Sequence, residues 1–143
     1  MKKKYLYIIL VIYTALILRL IVFKYPPGMT FSIANANLLP FKTILGYLSG
    51  EPTWKIAMRN LLGNVIVLVP LGFLFALRYH KNKWGRALLV GLFIGIILEL
   101  LQVIFKSGIL DIDDIILNSL GVIIGYLLFI FIYGIFKKYY KKN

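Results

Sequence analysis

The sequence predicts an all-α integral membrane protein, a bundle of four transmembrane helices with both termini cytoplasmic. Three observations predict it. Hydrophobic residues are 61% of the 143 and charged residues only 15%, against about 45–50% and about 25% in soluble domains. Four apolar stretches each approach the roughly 20 residues a helix needs to cross a hydrocarbon core. The 17 Lys and Arg, against 5 Asp and Glu, gather on one side of those stretches. The length allows one domain, residues 1–143, and a core of that size cannot hide such an apolar excess, which excludes an ordinary soluble enzyme. With no cysteine there is no disulfide, thiol catalysis or Cys-based metal site.

The first span is Tyr5–Phe23, broken only by Thr14 and Arg19. A cleaved signal peptide is the alternative, since Met1–Lys4 resembles an n-region and Ala34-Asn35-Ala36 a cleavage site. The apolar run exceeds the ~7–15 residues of a signal core, and Pro26-Pro27-Gly28 separates it from that site, so the span is read as retained. The first connection, Lys24–Arg59, has 36 residues, and loops beyond ~12–15 residues are uncommon and often functional. Asn37-Leu38-Leu39-Pro40-Phe41, then Ile44, Leu45, Tyr47 and Leu48, is too apolar for a free loop. It reads as an interfacial or re-entrant segment, or as a short helix that covers the bundle. The second span, Asn60–Leu77, carries Pro70 where a kink is expected. The third is Ala87–Phe105, with Glu99 and Gln102, and the fourth is Ile115–Phe136, with Asn118 and Ser119 near its start.

Eleven bases and no acid occupy one side: Lys2, Lys3 and Lys4, then Arg78, Lys81, Lys83 and Arg86, then Lys137, Lys138, Lys141 and Lys142. The positive-inside rule makes that side cytoplasmic and turns the first and third connections outward. Tyr and Trp near the span ends, such as Trp54, Tyr79 and Trp84, fit an interfacial belt. Bases that flank spans without a groove or motif argue against nucleic acid as a partner.

Polar residues within the spans fall in their outer halves. Glu99 and Gln102 share a face of the third span, continued by Gly91 and Gly95. Asp111, Asp114, Asn118, Gly121 and Gly125 form one helical stripe, carboxylates at the outer mouth and a small-residue contact for helix packing below. Asn60 and Asn64 lie one turn apart, with Gly63 beside them. Plainer readings stand next to these. Asp111 and Asp114 suit an N-cap and an acidic first turn, Asn60 a cap, and Asn64 and Asn118 interhelical hydrogen bonding. Asp113 points off the stripe toward solvent. Arg19 either snorkels to headgroups or, like Arg59, supplies a counter-charge to Glu99, whose short stem snorkels poorly. His80, alone in a basic loop, is no metal ligand.

Taken in order, Asn37–Phe41, Asn60-Leu61-Leu62-Gly63-Asn64, Pro70-Leu71-Gly72, Glu99-Leu100-Leu101-Gln102 and Asp111-Ile112-Asp113-Asp114 through Asn118, Gly121, Gly125 and Tyr126 resemble the VanZ-like family. The resemblance covers about residues 37–126. It implies a small multi-pass protein of the bacterial cytoplasmic membrane and a link to low-level resistance to the glycopeptide teicoplanin. Many members carry an arginine shortly before the aspartates; here Ser107-Gly108 stands there, with Lys106 or Arg59 as substitutes.

Three functions follow as expectations. The first is an envelope protein whose outer polar site meets a glycopeptide or a lipid-linked cell-wall precursor at the bilayer. Its binding residues would be Asn60, Asn64, Gln102, Asn118, Arg59 and Arg19. The second is an enzyme on an outer-leaflet lipid or polyprenyl-linked substrate, with Glu99, Asp111 and Asp114 as candidate acid–base groups. No cofactor is required, although Asp111 and Asp114 are candidate oxygen ligands for a divalent cation such as Mg²⁺ or Ca²⁺. The third is a small ion-coupled transporter using Glu99.

Overall fold

A computed structural model describes residues 3–23, 35–79 and 83–142. The described residues form helices and no strand: α1 (Lys3–Ile17), α2 (Lys42–Leu48), α3 (Trp54–Arg78), α4 (Trp84–Ile104) and α5 (Ile112–Lys142). Helices α3, α4 and α5 are each long and apolar enough to cross a membrane. The first expected span is divided, because α1 passes into a π-helical turn over Leu18–Val22. Residues Lys24–Ala34 and His80–Asn82 lie outside the described residues, and with them the Pro26-Pro27-Gly28 and His80 readings.

Helix α5 is held between α3 and α4 by two glycine seams. A Cβ at Gly121 or Gly125 would overlap the backbone of α3 at Val65 and Val69, and one at Gly72 would overlap Val122. On the other side, a Cβ at Gly91 would lie 2.8 Å from Ser119 Cα and one at Gly95 3.1 Å from Ile115. Removing side chains at these points lets the backbones close, which is how helices gain dispersion energy where lipid offers no hydrophobic drive. Phe73 of α3 meets Phe129 of α5 edge-on at 5.2 Å, lower in the same seam.

The residue distribution is that of a protein in lipid. Leu62, Ile66, Phe93, Ile104, Leu127 and Phe131 point outward and are exposed, whereas Asn60, Asn64, Glu99, Gln102, Asp113 and Asn118 are buried. In water such apolar surface would be a large sticky patch; against acyl chains it is the ordinary outer face.

Two tyrosine hydroxyls repair helix backbones. Pro70 lies inside α3 and has no N–H to give to the ladder. At the next rung the Tyr13 hydroxyl donates to the Val67 carbonyl (2.8 Å) and accepts from the Leu71 N–H (3.2 Å). It thereby stands in the ladder of α3 and ties α1 to it. Tyr126 of α5 accepts from the Lys83 N–H at 2.8 Å, satisfying a donor at the start of α4.

Candidate functional site

The third connection ends where α5 begins, and the acids there are spent on backbone donors. Asp111 precedes α5 and accepts from the Asp113 N–H at 2.9 Å, an N-cap bond to the second helical residue. Its own N–H donates to Glu99 Oε2 of α4 at 2.9 Å. A buried carboxylate at a helix N-terminus offsets its desolvation through the donors and dipole it faces. Glu99 and Asp111, on different elements, are thus brought together.

The same acids bind the first connection. Asn37 makes a parallel bridge with Asp111: Asn37 N–H to the Leu110 carbonyl and Ile112 N–H to the Asn37 carbonyl, both 2.9 Å. Asn37 Nδ2 donates to Asp111 Oδ1 (2.9 Å) and Thr43 Oγ1 to Asp111 Oδ2 (2.6 Å). Asp113, expected to face solvent, is instead fully buried. Its carboxylate accepts from the N–H groups of Phe41 (2.6 Å), Thr43 (2.7 Å) and Ile44 (3.1 Å). It therefore caps α2 from 70 residues away in sequence, with Phe41 held at φ 68°, a left-handed geometry that a bulky residue adopts only when its surroundings impose it. No stripe on α5 alone points to this role, because the partner donors are non-local.

The clasp holds α2 on the end of the bundle where α5 begins. No residue of α2 is buried, and Leu38, Leu39, Phe41, Leu45 and Leu48 are exposed beside it. The segment contains the short helix of the plainer expectation, docked on the bundle with apolar residues exposed. Beneath it lies a cavity of about 510 Å³ lined by Asn35, Asn37, Lys42, Thr43, Tyr47, Pro52, Ile56, Gln102, Gly108, Ile109, Asp111 and Asp114. Burial pushes the Asp111 carboxyl above its ordinary value. The hydrogen bonds from Thr43, the Asp113 N–H and Asn37 oppose that rise, and the nearby Asp114 charge adds to it.

The other candidates are placed as follows. Gln102 lines the cavity but gives its Nε2 to the Ile21 carbonyl of the π turn at 2.9 Å, fixing that turn against α4. Asn60 Nδ2 donates to the Tyr47 hydroxyl at 2.8 Å, a second tie between α3 and α2. Asn118 is fully buried and both its side-chain polar atoms lack a hydrogen-bond partner in the structure. Asn64 and Asn60 line a separate crevice of about 200 Å³ with Arg19, Leu20, Arg59, Gly63 and Val67. Arg19 and Arg59, expected as counter-charges to Glu99, both line this crevice, and Glu99 Oε2 accepts from the Asp111 N–H. Arg19 is exposed and also donates to the Phe23 carbonyl at 2.9 Å.

As for metal, the described residues contain no group of three or more His, Cys, Asp or Glu able to hold an ion. Both oxygens of Asp111 already accept protein hydrogen bonds, which leaves the Asp111 and Asp114 pair a thin ligand set for Mg²⁺ or Ca²⁺. Lys106, the expected substitute for the family arginine, closes α4 through its backbone. It stands at φ 51° just past α4, with Lys106 N–H bonded to Val103 O (3.1 Å) and Ser107 N–H to Gln102 O (2.9 Å). This is a Schellman stop, normally built with glycine.

Comparison with known proteins shows what the chain is similar to. The curated protein VanZ of Enterococcus faecium is 28% identical over 85 residues, which is 59% of this chain and 50% of that protein. The chain thus spans about half the length of the curated relative it matches. No solved structure matches. The VanZ/LLP1 family profile matches residues 10–133, which include the aspartate clasp, its donors in the first connection and both glycine seams, and the chain belongs to that family.

Proposed function

We propose that this protein crosses the bacterial cytoplasmic membrane four times, with both ends and the short basic connection inside. The 510 Å³ cavity then opens toward the outer leaflet and receives the polar part of an amphiphile. The asymmetry of charge supports the orientation: eleven unopposed bases sit at one end of the helices and every aspartate and glutamate at or toward the other. The observation that carries the reading is the cavity itself, a mainly apolar space into which Lys42, Tyr47, Gln102 and Asp114 bring polar groups, under a helix whose exposed face is apolar. An amphiphile anchored in lipid presents its headgroup at that level.

The ligands that fit are a teicoplanin-type glycopeptide or a lipid-linked cell-wall precursor, and the outcome is lowered susceptibility to the former. Binding is favoured over catalysis because Asp111 and Asp113 are occupied in holding backbone and side-chain donors, and a general acid or base must reach a substrate proton. Expression in a sensitive Gram-positive host tests the reading. Teicoplanin inhibitory concentrations rise while those of vancomycin change less; no shift for either drug, with the protein detected in the membrane, refutes it.

A further inference from the structure

We infer that the crevice between the π turn and α3 is a phosphate site for a membrane phospholipid, separate from the outer cavity and independent of what that cavity binds. Three features carry it. Two guanidinium groups, Arg19 and Arg59, line one small space of about 200 Å³. Asn64 lines the same space, is 2% exposed, and has an Nδ2 with no hydrogen-bond partner in the structure. A buried amide donor without an acceptor costs about 1–3 kcal/mol, and an anionic oxygen in the crevice relieves that cost. Guanidinium forks are the side chains best matched to phosphate oxygens.

Position and surroundings make the source a lipid. Arg59 lies in the second turn of α3, after the exposed Trp54 at its start, which is headgroup depth for a span that begins in an aromatic belt. Leu20 lines the crevice and is exposed, which gives an acyl chain apolar surface beside the arginines. A free phosphate ion would use the same guanidinium and amide donors but none of this apolar surface. The crevice thereby serves as a lipid staple between α1 and α3, at the level where Gln102 also fixes the π turn.

The test uses the full-length chain purified in detergent, with phosphatidylglycerol and inorganic phosphate as separate probes. Native mass spectrometry reads lipid occupancy, and thermal unfolding reads the stabilisation. Phosphatidylglycerol binds the wild type and raises its Tm, whereas equimolar inorganic phosphate neither stabilises the protein nor displaces the lipid. Because a cation near a lipid surface contributes about 1 kcal/mol, Arg19→Gln weakens lipid binding about fivefold and Arg19→Gln with Arg59→Gln about 25-fold. Arg19 is exposed, so its single variant keeps the fold and carries the test even if the double variant does not. Unchanged lipid occupancy in Arg19→Gln overturns the site, and displacement by equimolar inorganic phosphate overturns the lipid assignment.

Discussion

Replacing Asp113 by alanine removes the acceptor for three backbone donors at once, at 2.6, 2.7 and 3.1 Å. Hydrogen bonds to a charged group contribute about 1.5–3 kcal/mol each, and buried donors left without a partner cost comparable amounts. The full sum overstates the effect. Helix α2 has no buried residue, so the segment can lift off and hydrate its N–H groups while the bundle stays intact. The loss is then limited to the docking free energy, about 2–4 kcal/mol after the remaining Asn37, Thr43 and Tyr47 contacts are kept. At 1.4 kcal/mol per decade, amides of residues 41–44 lose protection from hydrogen exchange by roughly 30- to 700-fold. Hydrogen–deuterium exchange with mass spectrometry on the purified protein reads this directly. Peptides from α4 and the middle of α5 exchange as in the wild type. Unchanged protection of residues 41–44 in Asp113→Ala, with the protein otherwise native, would refute the claim that this carboxylate holds α2.

Four further outcomes follow. Gly125→Ala forces a methyl group into the Val69 and Phe73 backbone and lowers stability by about 1–3 kcal/mol; Gly134→Ala, which meets nothing within 4 Å, is the silent control in the same melt. Lys106→Gly relieves the positive φ at the end of α4 and raises stability by about 0.5–1 kcal/mol, an effect that a lower Tm would contradict. Tyr13→Phe removes the hydroxyl between Val67 and Leu71, so the Leu71 amide exchanges faster by about an order of magnitude. Because burial raises the folded-state value of Asp111, its contribution to docking is fully present below the ordinary carboxyl value and declines as pH rises through the raised one. Comparing wild type with Asp111→Asn isolates that slope, and identical pH profiles would contradict it.

The residues legible in the sequence are those whose role is local. The spacing of Gly121 and Gly125, and of Gly91 and Gly95, follows helical periodicity, and both pairs lie where backbones meet. Asp111 as a cap is likewise a short-range pattern. Asp113 was not legible, because its donors lie in another segment and helical phase on α5 alone points it outward. The same non-locality hides the Asn37 bridge and the Tyr13 contact with α3. For Glu99 a charged partner is the obvious expectation, and nothing in the sequence signals the bond it accepts from the Asp111 backbone N–H at a helix start. The positive-φ Lys106 carries no compositional signal at all, since glycine is the residue that usually marks such a stop.

An outer cavity braced by carboxylates requires that Lys42 and Arg86 face opposite sides of the membrane. The chain contains no cysteine, so Lys42→Cys and Arg86→Cys each present a single thiol to a membrane-impermeant maleimide. In intact cells the thiol at position 42 is labelled and the thiol at position 86 is labelled only after lysis. Labelling at position 86 in intact cells, with position 42 protected until lysis, would contradict an outward-facing site.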